Sequence, residues 1–130
     1  MTYPVNIVNI SINKSADTVY RFVSNPENFP KWVAFVETVR RQGDAWIAKT
    51  DLGELKIKFC PINDIGVIDH EVTLPNGQKV LNPMRVVPNN DGCEFTFILF
   101  WMPGRTENEF NEDADAVRKD LEKLKEIMEG

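Results

Sequence analysis

The sequence predicts a single α+β domain, residues 1–130, in which a curved antiparallel sheet is closed by a long C-terminal helix with an apolar pocket between them. Three observations predict it. From Phe35 to Trp101 the hydrophobic period is two, in six successive runs joined by short turns. From Thr106 onward the period changes to that of a helix of roughly six turns. A chain of 130 residues, 42% hydrophobic and 27% charged, has the size and composition to bury one core without staples.

The elements follow in order. Val5 to Ile12 reads as the first strand, with Val5, Ile7, Asn9 and Ser11 alternating against Asn6, Val8, Ile10 and Ile12. Ser15 is a good N-cap for a helix from Ala16 to Ser24, whose Val19, Phe22 and Val23 form one buried stripe. Asn25-Pro26 caps a second helix, kept short by Pro30. Strands are expected over 35–41, 45–50, 54–59, 66–74, 79–87 and 93–101. Leu55, Ile57 and Phe59 face the core while Glu54, Lys56 and Lys58 face water. Short turns make a meander the natural topology. Thr106 and Glu109 form a capping box. Phe110, Ala114, Val117, Leu121, Leu124 and Met128 then make an apolar stripe, opposite Glu112, Asp115, Lys119, Glu122, Lys123 and Glu126. A twisted sheet cannot lie flat on a straight helix, so a space is expected between them.

Composition narrows the function. A net charge of −5 and a pI near 4.9 argue against nucleic acid, which needs clustered Lys and Arg, and against anionic membranes. No apolar run approaches the ~20 residues of a membrane span. The N-terminus shows no basic region or cleavage site, and a cytoplasmic location is expected. Cys60 and Cys93 match no zinc spacing and read as buried thiols. One histidine cannot build a His-rich metal centre, no nucleophile or phosphate-binding motif is present, and nothing demands a cofactor. The five acids between Glu107 and Asp115 complement the helix dipole rather than a metal.

Ile12 to Val33, INKSADTVYRFVSNPENFPKWV, resembles the opening signature of the START-like (SRPBCC) superfamily, the helix-grip fold. DHEVTLPNG (69–77), NPMRVVPNNDG (82–92) and the closing segment from Pro103 to Glu129 resemble its bacterial polyketide cyclase/dehydrase-like subfamily. The resemblance covers nearly the whole chain. It implies about seven strands in the order β-α-α-β6-α and a hydrophobic cavity for a lipid, sterol, polyketide or other aromatic ligand. Because the superfamily hosts binders and enzymes alike, fold alone does not choose between them.

Turn chemistry gives the pocket a register. Leu74-Pro75-Asn76-Gly77 fits a type I turn with Gly77 as a left-handed bulge, which places His70 opposite Asn82 and Ile68 opposite Met84. A two-residue Asn76-Gly77 turn would oppose His70 to Pro83 instead. Asp91-Gly92 as the next turn would pair Met84 with Leu99 and Asn82 with Trp101. His70, Asn82 and Trp101 would then form one row toward Val117 and Leu121 of the last helix. In one reading Asn82 satisfies a buried His70 and both serve the core. In the other, the pair presents polar atoms to a ligand among Trp32, Met84, Phe97 and Leu99. Trp32 ends the short second helix, near where relatives admit ligands. Asp69 and Arg85 read as an outer-face ion pair.

Three functions are compatible with this sequence. The first is a binding protein, monomeric or homodimeric, for a small hydrophobic or aromatic molecule. The second is a cyclase or dehydratase with His70 as acid–base and Asn82 polarising a carbonyl. The third is a co-chaperone-like interaction module, which requires an exposed apolar patch.

Overall fold

The computed structural model describes residues 1–130. Strand β1 (Val5–Ile12) leads into helix α1 (Ala16–Val23), a single 3-10 turn (Pro26–Asn28) and the four-residue helix α2 (Phe29–Trp32). Seven further strands follow: β2 (Val36–Gln42), β3 (Ala45–Thr50), β4 (Gly53–Phe59), β5 (His70–Thr73), β6 (Lys79–Asn82), β7 (Met84–Asn89) and β8 (Gly92–Phe100). Helix α3 (Glu107–Glu129) closes the chain. The caps are those expected: Ser15 accepts from the Thr18 N–H, and Thr106 and Glu109 bond each other's backbones in a capping box.

There are eight strands rather than about seven, because the run expected over 79–87 is two strands. Pro83 separates them; it has no N–H to give the ladder. The strands form two antiparallel sheets, β1-β8-β7 and β2-β3-β4-β5-β6. One bent hairpin joins them. Its outer half pairs β5 with β6, His70 opposite Asn82 and Val72 opposite Val80. Its inner half continues in the same register, with Ile68 N–H donating to the Met84 carbonyl and Val86 N–H to that of Gly66. The turn has the three-residue form: Gly77 N–H donates to Leu74, and Gly77 sits at φ 89°.

The next hairpin departs from expectation. Its turn is Asn90-Asp91, so Asn89 faces Gly92 and Met84 faces Phe97 rather than Leu99. Asn90 supplies the left-handed residue, at φ 52°. Gly92 serves another purpose: a Cβ there would collide with the Ile12 carbonyl of β1. The glycine permits a backbone approach, not a turn.

The core lies between the sheets and α3. Phe95, Met84, Val86, Ile12 and Val8 from the three-stranded sheet meet Ala48, Leu55, Ile57 and Val72 from the other, closed by Leu121 and Leu124 of α3 and by Val19 and Val23 of α1.

Candidate functional site

The bend in the joining hairpin positions the histidine. In a continuous ladder Met84 N–H would return a hydrogen bond to the Ile68 carbonyl. It donates instead to Asp69 Oδ1 at 3.0 Å, and Asp69 also receives the guanidinium of Arg85 at 2.8 and 3.1 Å. That ion pair is therefore part of the corner, holding a backbone N–H beside Pro83. The Arg85 bonds hold the Asp69 carboxyl below its usual range. The freed Ile68 carbonyl is taken by His70 Nδ1 at 3.1 Å.

This bond fixes the state of the imidazole. A carbonyl only accepts, so Nδ1 carries the proton and Nε2 presents a lone pair. Burial pushes the His70 pKa down to about 4, so the ring is neutral at pH 7. It lies 5.0 Å from the Phe59 ring and 6.1 Å from Phe29. Asn82 is its backbone partner across β5 and β6, but no hydrogen bond joins the two side chains; the Ile68 carbonyl takes the part assigned to Asn82.

Trp32 is the second polar feature. It ends α2, is 4% exposed and packs edge-on against Phe29 (5.6 Å) and Phe95 (6.1 Å). Its indole Nε1 is sealed from solvent and has no hydrogen-bond partner. Buried donors are nearly always paired, so this one stands out.

The other expected residues separate. Met84 and Leu121 are fully buried, and Phe97, Leu99 and Val117 are half-buried against the same core. The row ending in Trp101 does not form, because the β7–β8 pairing is shifted by two residues. Trp101 lies beside the start of α3, stacked on Phe110 at 5.5 Å and donating to the Arg105 carbonyl.

One residue was missed by the sequence reading. Asp120 of α3, 7% exposed, accepts the Ala34 N–H from the α2–β2 loop at 3.1 Å. Burial pushes its pKa up to about 6, against the pull of that bond. The signal was available: Asp120 falls three residues after Val117 and four before Leu124, inside the apolar stripe. It lines an open cleft of about 380 Å3 between α3 and the loop, with Phe35, Glu112, Asp115 and Lys119. A second open cleft, about 460 Å3, lies between α1 and the Asn63–Gly66 loop.

The order of elements and the grip of two sheets on α3 decide the comparison with known folds. The fold is START-like. A START superfamily protein from Mycobacterium smegmatis superposes with a TM-score of 0.74 at 13% identity, over 96% of this chain and 97% of its own. The Aha1 protein of Colwellia psychrerythraea, solved as a dimer, gives 0.78 at 11% identity over 96% of both chains. DynU16, a protein of the dynemicin biosynthetic locus, gives 0.74 at 16% identity, over 96% of this chain and 47% of its own. No family model and no curated protein matches the sequence. No helix is long and apolar enough to cross a membrane.

Proposed function

We propose that this protein binds a small hydrophobic or aromatic molecule between its sheets and α3, and that an oxygen of the ligand accepts a hydrogen bond from Trp32. The observation that carries this reading is the indole Nε1 of Trp32, buried without a partner. An unpaired buried donor costs on the order of 1–3 kcal/mol. A ligand acceptor would recover that cost, which is how apolar sites with few polar groups orient what they bind. His70 Nε2 offers the complementary lone pair, suited to a hydroxyl group. Burial keeps the ring neutral at pH 7 and lowers the basicity of Nε2, which makes His70 a poor general acid and a weak base and suits it to accepting a hydrogen bond. We place access at the cleft beside the α2–β2 loop, directly after Trp32. Binding requires the packed rings around Trp32 and His70 to part.

The test is native mass spectrometry of the purified protein for a co-purifying small molecule, with displacement of an environment-sensitive apolar dye. Trp32→Phe keeps the ring and deletes the donor. It is expected to bind the molecule about tenfold more weakly, a loss of ~1.4 kcal/mol. The ligand-free variant is expected to be at least as stable as wild type. If no molecule co-purifies and no dye binds at saturation, the reading fails. Unchanged affinity in Trp32→Phe removes Trp32 from the site.

A further inference from the structure

The free edge of β1 is unusual for this chain. The two sheets have four edges, and three are protected. Strand β2 carries Glu37, Arg40 and Arg41, β6 carries Lys79, and β7 is covered by residues 66–68. Such charges and covers keep sheet edges from pairing. Strand β1 has eight residues, VNIVNISI, and no charge, in a protein of which 27% is charged.

The free backbone groups of β1 can be identified. Trp101 N–H donates to the Pro4 carbonyl, which fixes the parity of the β1–β8 ladder. Even-numbered residues of β1 bond to β8. Val5, Ile7, Asn9 and Ser11 turn theirs outward. Lys125 Nζ occupies the Ser11 carbonyl at 2.8 Å, which leaves Val5, Ile7 and Asn9. The same residues point their side chains away from the core. Val5 and Ile7 are 49% and 57% exposed, beside half-buried Phe100 and Ile98 on β8.

We propose that β1 pairs antiparallel with β1 of a second copy of this chain, about a two-fold axis at Ile7. Only that arrangement uses all three free residues on both strands. Ile7 faces the partner's Ile7, and Val5 faces the partner's Asn9, each pair exchanging two backbone hydrogen bonds. The two three-stranded sheets become one six-stranded sheet, and the apolar outer strips adjoin. Charge decides for a second copy over an unrelated strand. The two-fold axis sets Ile7 against its own copy, where a charge would repel itself, and Ile7 is apolar and the most exposed hydrophobic residue of the strand. Strand β1 alone among the four edges carries no charge.

The test is sedimentation across a concentration series, with amide hydrogen exchange on the wild-type protein. A dimer is expected, with slow exchange at Val5, Ile7 and Asn9, which have no intramolecular partner. Ile7→Lys, an exposed substitution, should weaken dimerisation about a hundredfold by setting two ammonium groups on the axis. Ile62→Lys, in an exposed loop away from β1, should leave the dimer intact. Ile7→Thr, uncharged and well suited to a strand, serves if the lysine variant does not fold; it should weaken the dimer less. A protein that stays monomeric at the highest concentration overturns the proposal. So does a dimer that Ile7→Lys does not split, or one with fast exchange at those three amides. None of these outcomes bears on ligand binding.

Discussion

Asp120 is a buried carboxylate whose cost can be worked out from the structure. Its pKa is raised from 3.8 to about 6, chiefly by burial. Each unit is worth about 1.4 kcal/mol, so about two units set a ceiling near 3 kcal/mol. The cleft beside it is open to water and holds Lys119, so we expect about 2 kcal/mol. The sign follows from proton counting. Between about pH 4 and pH 6 the native state holds the proton more tightly than the unfolded chain, so stability falls as pH rises through that window. Asp120→Asn keeps an oxygen for the Ala34 N–H and removes the charge. It is expected to match wild type below about pH 4 and to exceed it by about 2 kcal/mol above about pH 7. Urea unfolding of both proteins across that range measures the difference, and the neighbouring Glu112, Asp115 and Lys119 cancel because both proteins carry them. His70 adds a second expectation. Its pKa of about 4 means the unfolded chain takes up a proton that the native state refuses, so this group costs stability as pH falls from about 6.5 to 4. The two slopes oppose each other in wild type, so the variant should be the more acid-sensitive protein. A difference that does not change with pH, or a variant less stable at pH 7, would refute the burial argument.

Two further substitutions test the bent hairpin. Gly66 sits at φ 75°, and a Cβ there would run into the Val86 carbonyl, so Gly66→Ala should cost roughly 2–4 kcal/mol. Wild-type stability on denaturant unfolding would mean that the close approach of Gly66 to Val86 is not formed. Asp69→Ala strands the Met84 N–H and frees Arg85, and should cost about 1–3 kcal/mol, whereas Asp69→Asn keeps the acceptor and should cost less. Because the Asp69 pKa is lowered, its stabilisation is present above the usual carboxylate range and is lost as pH falls below it; equal losses in both variants at neutral pH would contradict the role given to that oxygen.

Much of the fold was legible because local chemistry and burial agreed. The Thr106–Glu109 box, the Ser15 cap and the Pro75–Gly77 bulge each satisfy named backbone groups, and the structure repeats all three. The shifted β7–β8 pairing was not legible, for a physical reason. A slip of two residues keeps every side chain on its own face, so hydrophobic alternation cannot detect it. Asp91-Gly92 has the composition of a two-residue turn, yet the task of Gly92 is to let β1 pass. The eighth strand has a visible sign in Pro83, but the flanking residues continue the alternation through it, so periodicity alone reads one strand.

The histidine shows why the site was harder to read than the fold. Asn82 was a reasonable partner because it lies directly across the hairpin, and it does lie there. What sequence could not supply was the state of the Ile68 carbonyl, which is free only because Asp69 draws Met84 N–H out of the ladder. The single histidine thus has a structural role at Nδ1, completing a corner between two sheets. Its other nitrogen has no such role, and neither has the indole nitrogen of Trp32. Elsewhere in the interior, buried polar side chains have partners: Thr50 bonds the Gly53 carbonyl and Asp120 the Ala34 N–H. A core that pairs its other buried polar side chains and leaves the indole N–H of Trp32 unpaired is poorly explained by stability alone, since a phenylalanine at position 32 would carry no unpaired donor. That asymmetry is why the binding reading rests on Trp32 and not on the fold it shares with START-like structures.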